Sequence, residues 1–110
     1  MTLTLVLGKL TPEGTRGLMK EGFAARERYF RELAESVGMT VHGYYFAEGG
    51  EWDVVLTAEM PDVPGAEGVA NIFQTQSTGM YSSIRVLRLY SPADVDAGLA
   101  KATQLRAPGT

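Results

Sequence analysis

The run Gly43-Tyr44-Tyr45-Phe46-Ala47-Glu48-Gly49-Gly50-Glu51-Trp52-Asp53-Val54-Val55-Leu56 constrains the fold more than any other segment of this chain. Two aromatic, β-prone stretches flank a Glu-Gly-Gly turn, and glycine accepts the positive φ angles that a tight two-residue hairpin requires. The run predicts a hairpin with strands over residues 40–47 and 51–60. Ahead of it, residues 2–8 alternate Thr and Leu as a half-buried strand. Thr11-Pro12-Glu13 then starts a helix, with Thr11 as N-cap and Pro12 in the first helical position. Glycines weaken the first turns and predict a break near Gly22. Beyond it, Phe23, Phe30, Leu33 and Val37 form one apolar stripe that ends at Gly38.

After the hairpin, Pro61-Asp62-Val63-Pro64 stops the sheet and starts a second helix that reaches residues 76–78. Residues 80–90 read as a fourth strand. Ser91-Pro92-Ala93-Asp94 opens a short terminal helix, and residues 101–110 are expected to be a flexible tail. The order βαββαβ predicts an α+β, ferredoxin-like domain over residues 1–100, with a four-stranded antiparallel sheet and both helices on one face.

Composition narrows the function classes. The chain has 110 residues, 45% hydrophobic and 21% charged, as a single globular domain does. A net charge of −3, with its Lys and Arg scattered among acids, argues against nucleic acid as a partner. The absence of cysteine excludes disulfides and thiolate chemistry, and one histidine among scattered carboxylates predicts no metal site. No glycine-rich loop is followed by Lys-Ser or Lys-Thr, so nothing asks for a phosphate-bearing cofactor. No stretch is apolar enough to span a membrane, and the N-terminal segment reads as a strand, so a cytoplasmic location is expected.

With Glu48-Gly49 as the turn, Tyr45 faces Trp52, and alternation puts Val41, Tyr45, Trp52, Val54, Leu56 and Ala58 beneath the helices. The opposite face then carries His42, Tyr44, Phe46, Asp53, Val55 and Glu59. Such a face is too apolar to stand in water on a small domain, so it is expected to pack against a second copy across a two-fold axis.

The stretches Leu7-Gly8-Lys9-Leu10-Thr11-Pro12-Glu13-Gly14, Phe30-Arg31-Glu32-Leu33-Ala34-Glu35-Ser36-Val37-Gly38 and Gly50-Glu51-Trp52-Asp53-Val54-Val55 resemble the GYD-domain family. That family is named for a Gly-Tyr-Asp motif, whose tyrosine position Trp52 occupies here. Leu87-Arg88-Leu89-Tyr90 resembles its last strand. The resemblance, over residues 4–96, implies a dimeric α+β barrel and leaves activity open, since related barrels include enzymes and ligand-sensing modules.

Two functions follow as alternatives. One is a homodimer or higher oligomer that serves as an assembly module or binds a small apolar or aromatic molecule. In it, Tyr44, Phe46, Asn71, Gln74 and Arg88 are candidate ligand-binding residues. The other is a cofactor-independent isomerase or monooxygenase, with His42 as general base and Asp53 as its orienter. For each of the two residues a structural reading stands beside the catalytic one. His42 suits a strand position at a dimer seam, and Asp53 can accept backbone N–H bonds next to a turn. Arg85 or Arg88 is expected to answer Asp53 or Glu59. The enzyme reading requires a closed apolar pocket of about 300 Å3 or more with His42 or Asp53 aimed into it.

Overall fold

The computed structural model describes residues 2–62 and 67–102. Among them run β1 (Thr2–Leu10), α1 (Pro12–Glu21), α2 (Phe23–Ser36), β2 (Thr40–Phe46), β3 (Val54–Met60), α3 (Glu67–Ser77), β4 (Tyr81–Arg88) and α4 (Pro92–Ala102). The strands form one antiparallel sheet in the order β2-β3-β1-β4. This is the ferredoxin-like α+β arrangement that the sequence predicts, its first helix divided in two. Of the tail expected over residues 101–110, residues 101 and 102 belong to α4, and the rest lies outside the described residues.

Capping chemistry sets the helix ends. The Thr11 hydroxyl accepts from the Gly14 N–H at 2.9 Å and donates to the Gly79 carbonyl at 2.6 Å, tying the start of α1 to the approach to β4. The predicted break falls at Gly22, whose φ of 102° ends α1 and begins α2. At the far end of α2, the Met39 N–H reaches the Ala34 carbonyl and the Gly38 N–H reaches Glu35. With Gly38 at φ 78°, this is a Schellman closure.

Alternation along β1 sends Thr4, Val6 and Gly8 toward the helices. Thr4 is buried, and Val6 packs against a core of Tyr44, Val54, Leu56 and Ala58. Phe30 from α2 and Tyr81 from β4 close over that core. It lies off-centre, on the β2–β3 side of the sheet. No described residue of β4 or α4 is buried, although α3 leans on β4.

The hairpin departs from its predicted form. β3 begins at Val54 rather than residue 51, and the Ala47 N–H donates to Asp53, three residues beyond the Gly50 partner of a two-residue turn. An odd displacement of register exchanges the faces of one strand relative to the other. Tyr44 therefore pairs with Leu56 and Phe46 with Val54, which places both rings on the helix side. Tyr45 moves to the open side, 63% exposed, and Trp52 belongs to the connection. Farther along β2, the register shifts again between Val41 and Gly43, so His42 sits in a bulge.

Candidate functional site

The sheet face turned away from the helices is built in cross-strand rows. Tyr45, Val55, Leu7 and Arg85 make one row across the four strands. Gly43, Thr57, Leu5 and Leu87 make the next. Leu3 lies beside Glu59, and the Leu89 N–H donates to the Leu3 carbonyl at 2.9 Å. Leu3, Leu5 and Leu7 thus run down the centre of a bare face with Val55 and Leu87 beside them. Leu3 and Leu87 are each 39% exposed, and Leu5, Leu7 and Val55 are half-buried by their neighbours alone.

The two polar residues singled out by the sequence stand at opposite ends of β3. His42 projects from its bulge with Nε2 3.7 Å from Glu59 Oε1. Asp53 lies before the first residue of β3, and its Oδ2 accepts from the Leu10 N–H at 2.9 Å while its own N–H donates to Gly8. Given that Gly8 pairs with Val54, Leu10 would next meet the carbonyl of Trp52. The Asp53 carboxylate takes that carbonyl's place, which ends the β1–β3 ladder and frees residues 47–53 to turn. Lys9 fastens the same loop, its Nζ donating to the Gly50 carbonyl and standing 3.9 Å from Asp53 Oδ2. At about 3.3 Å of rise per residue, the four strand positions from Asp53 to Thr57, the partner of Gly43, already separate the two sites by roughly 13 Å.

The family model of the GYD domain matches residues 5–99. This chain belongs to the GYD-domain family. Comparisons with curated proteins and with solved structures find no significant match. In this GYD domain, the aspartate of the motif is held by backbone and by Lys9, and it does not orient His42.

The remaining candidates scatter. Tyr44, expected on the open face, is 8% exposed in the core, with its ring centroid 5.4 Å from Phe30 and 5.7 Å from Phe46. Burial, together with a hydrogen bond to Tyr81, holds its phenol well above the ordinary value of about 10 and so protonated. Phe46, also expected on the open face, meets Phe23 edge to face at 4.9 Å. Both rings serve the packing of α2 on β2. Gln74 is exposed on α3, and Asn71 lies in the same helix with its side chain outside the described part. Arg88 is at the end of β4, its Nη2 3.5 Å from the Thr2 hydroxyl.

Two concavities appear on the surface. One, of about 340 Å3, is bounded by Glu13, Leu18, Arg26, Thr78 and Met80. The other, of about 630 Å3, lies between α4 and the end of the sheet. Neither is lined by His42 or Asp53, and no cluster of His, Asp or Glu among the described residues could hold a metal ion. No helix of the described residues is long and apolar enough to cross a membrane.

Sequence reasoning did not single out Lys9 or the leucines of β1. Both were within reach of pattern. Thr-Leu-Thr-Leu-Val-Leu alternates so that the three leucines share a face. Antiparallel pairing of β1 with β3 brings Lys9 level with Asp53, so Lys9 answers it where Arg85 or Arg88 was expected. His42 answers Glu59.

Proposed function

We propose that this protein is a homodimeric assembly module in which two copies pack their open sheet faces together across a two-fold axis. One observation carries the reading: the row Leu3, Leu5, Leu7 with Val55 and Leu87 beside it, on the sheet face turned away from the described helices that cover the core. Burying each such side chain stabilises the buried state by about 1.5–3 kcal/mol, and a contiguous patch of this kind on a small domain marks an interaction surface. A two-fold contact needs a self-complementary surface, and a central row of leucines meets its own copy without charge conflict. The seam also suits a small apolar or aromatic ligand, with Tyr45 and Arg85 at its margin as hydrogen-bond donors.

The catalytic alternative receives no comparable support. Its acid and base stand apart, and neither concavity described above is lined by either of them. Sedimentation velocity at micromolar concentration tests the dimer: the unmodified chain should sediment as a dimer and Leu87→Glu as a folded monomer with unchanged circular dichroism. A monomeric parent, or a dimeric Leu87→Glu, would overturn the reading.

A further inference from the structure

Helix α4 is specified with care, yet none of its residues is buried among the described residues. Pro92 stands in its first turn. The Asp94 N–H donates to Ser91 Oγ at 3.0 Å, and the Ser91 N–H donates to Asp94 Oδ2 at 3.1 Å. Yet every residue from Pro92 to Ala102 is exposed, Val95 at 58% and Leu99 at 61% among them. A free helix of 11 residues is marginal in water. The radius of gyration, 17.5 Å, well exceeds the roughly 13 Å of a compact chain this long.

Between α4 and the end of the sheet lies the cleft of about 630 Å3. Its helical wall is Asp94, Ala97, Gly98 and Lys101, and its sheet wall includes Leu3 and Glu59. The four helical residues fall at i, i+3, i+4 and i+7, so they form one stripe along the helix. The stripe reads acid, small, small, base. Turned end for end about the point between Ala97 and Gly98, it complements itself: each Asp94 meets a Lys101 and each Lys101 meets an Asp94. At the crossing no side chain extends past a Cβ, so two backbones can approach to the short end of the 8–10 Å range of packed helices.

We propose that α4 of a second copy fills this cleft, packed antiparallel on the first α4 about a two-fold axis through Ala97 and Gly98. The proposal rests on the dimer reading above and deepens it. Leu3 and Glu59 belong both to the open face and to the cleft, so the two contacts adjoin. Val95 and Leu99 lie roughly 110° and 150° round the helix from the centre of the stripe and stay outside this contact. The self-complementary order of charges favours a second copy over an unrelated helix.

Because the chain contains no cysteine, one introduced thiol reports this contact without ambiguity. Under mild oxidation, Ala97→Cys should give a disulfide-linked dimer and Ala102→Cys should not, since residue 102 lies opposite residue 93 in the antiparallel pair. Lys101→Glu sets like charges against each other twice and should raise the dimer dissociation constant about tenfold or more. A parent dimer that neither cross-links through Ala97→Cys nor responds to Lys101→Glu overturns the helix pairing and leaves the sheet contact standing. Equal cross-linking at both positions also overturns it, as does a different protein bound at α4 without self-cross-linking. Undiminished Ala97→Cys cross-linking in a Leu87→Glu background keeps the helix pairing and overturns the sheet contact. A monomeric parent removes both.

Discussion

Asp53 shows how a single carboxylate can hold a strand end. Its Oδ2 satisfies a half-buried Leu10 N–H that the ladder would otherwise leave unpaired, and Lys9 braces it from the side. Removing an acceptor from such a donor costs more than the hydrogen bond itself, because the donor remains desolvated. Asp53→Ala should therefore lower the unfolding free energy by about 1–3 kcal/mol, read from urea titration at neutral pH. Asp53→Asn keeps an oxygen for Leu10 and should lose clearly less. Equal losses in the two variants would point to the charge, and hence to Lys9, as the main contribution. The possibility that Asp53 accepts backbone N–H bonds was legible in the sequence, because aspartate beside a turn commonly does so. Its donor was not, because Leu10 is remote in the chain and is brought there only by the pairing of β1 with β3.

At the scale of the elements, helix boundaries follow local chemistry. Thr11-Pro12-Glu13, Gly22 and Gly38 act where the sequence places them, since caps and positive-φ glycines are satisfied within a few residues. Gly22→Ala tests this directly. A Cβ there would meet only the Ala25 Cβ at 3.7 Å, so there is room for it, and the cost comes from holding a non-glycine residue at φ 102°. Thermal unfolding should report a loss of about 1–3 kcal/mol, with the oligomeric state unchanged. Strand faces obey a different logic. The Glu-Gly-Gly segment promises a tight turn, but the chain instead spends residues 47–53 on a longer connection tied by Asp53 and Lys9. That choice moves the register by three, and Tyr44 and Phe46 leave the open face for the core. Phe30 and Phe23 on α2 are there to receive them.

The whole molecule has an uneven distribution of core. α1, α2, β2 and β3 enclose the buried residues, while β4 and α4 bury none and the leucines of β1 stand bare on the far face. In the proposed dimer such a chain gains stability from its own copy, and mass action then makes that stability depend on concentration. The melting temperature should rise with protein concentration for the parent chain, and Leu87→Glu should melt lower and without that dependence. A concentration-independent melt for the parent would contradict a dimer coupled to folding. The sequence by itself determined the order of elements, the helix caps, the break at Gly22 and the presence of one oily sheet face, because alternation, capping and turn preference act over short stretches. Only the tertiary structure decided which residues make up that face and what Asp53 and His42 touch. Strand register is set by contacts between distant segments, and a shift by an odd number of residues reverses every side chain.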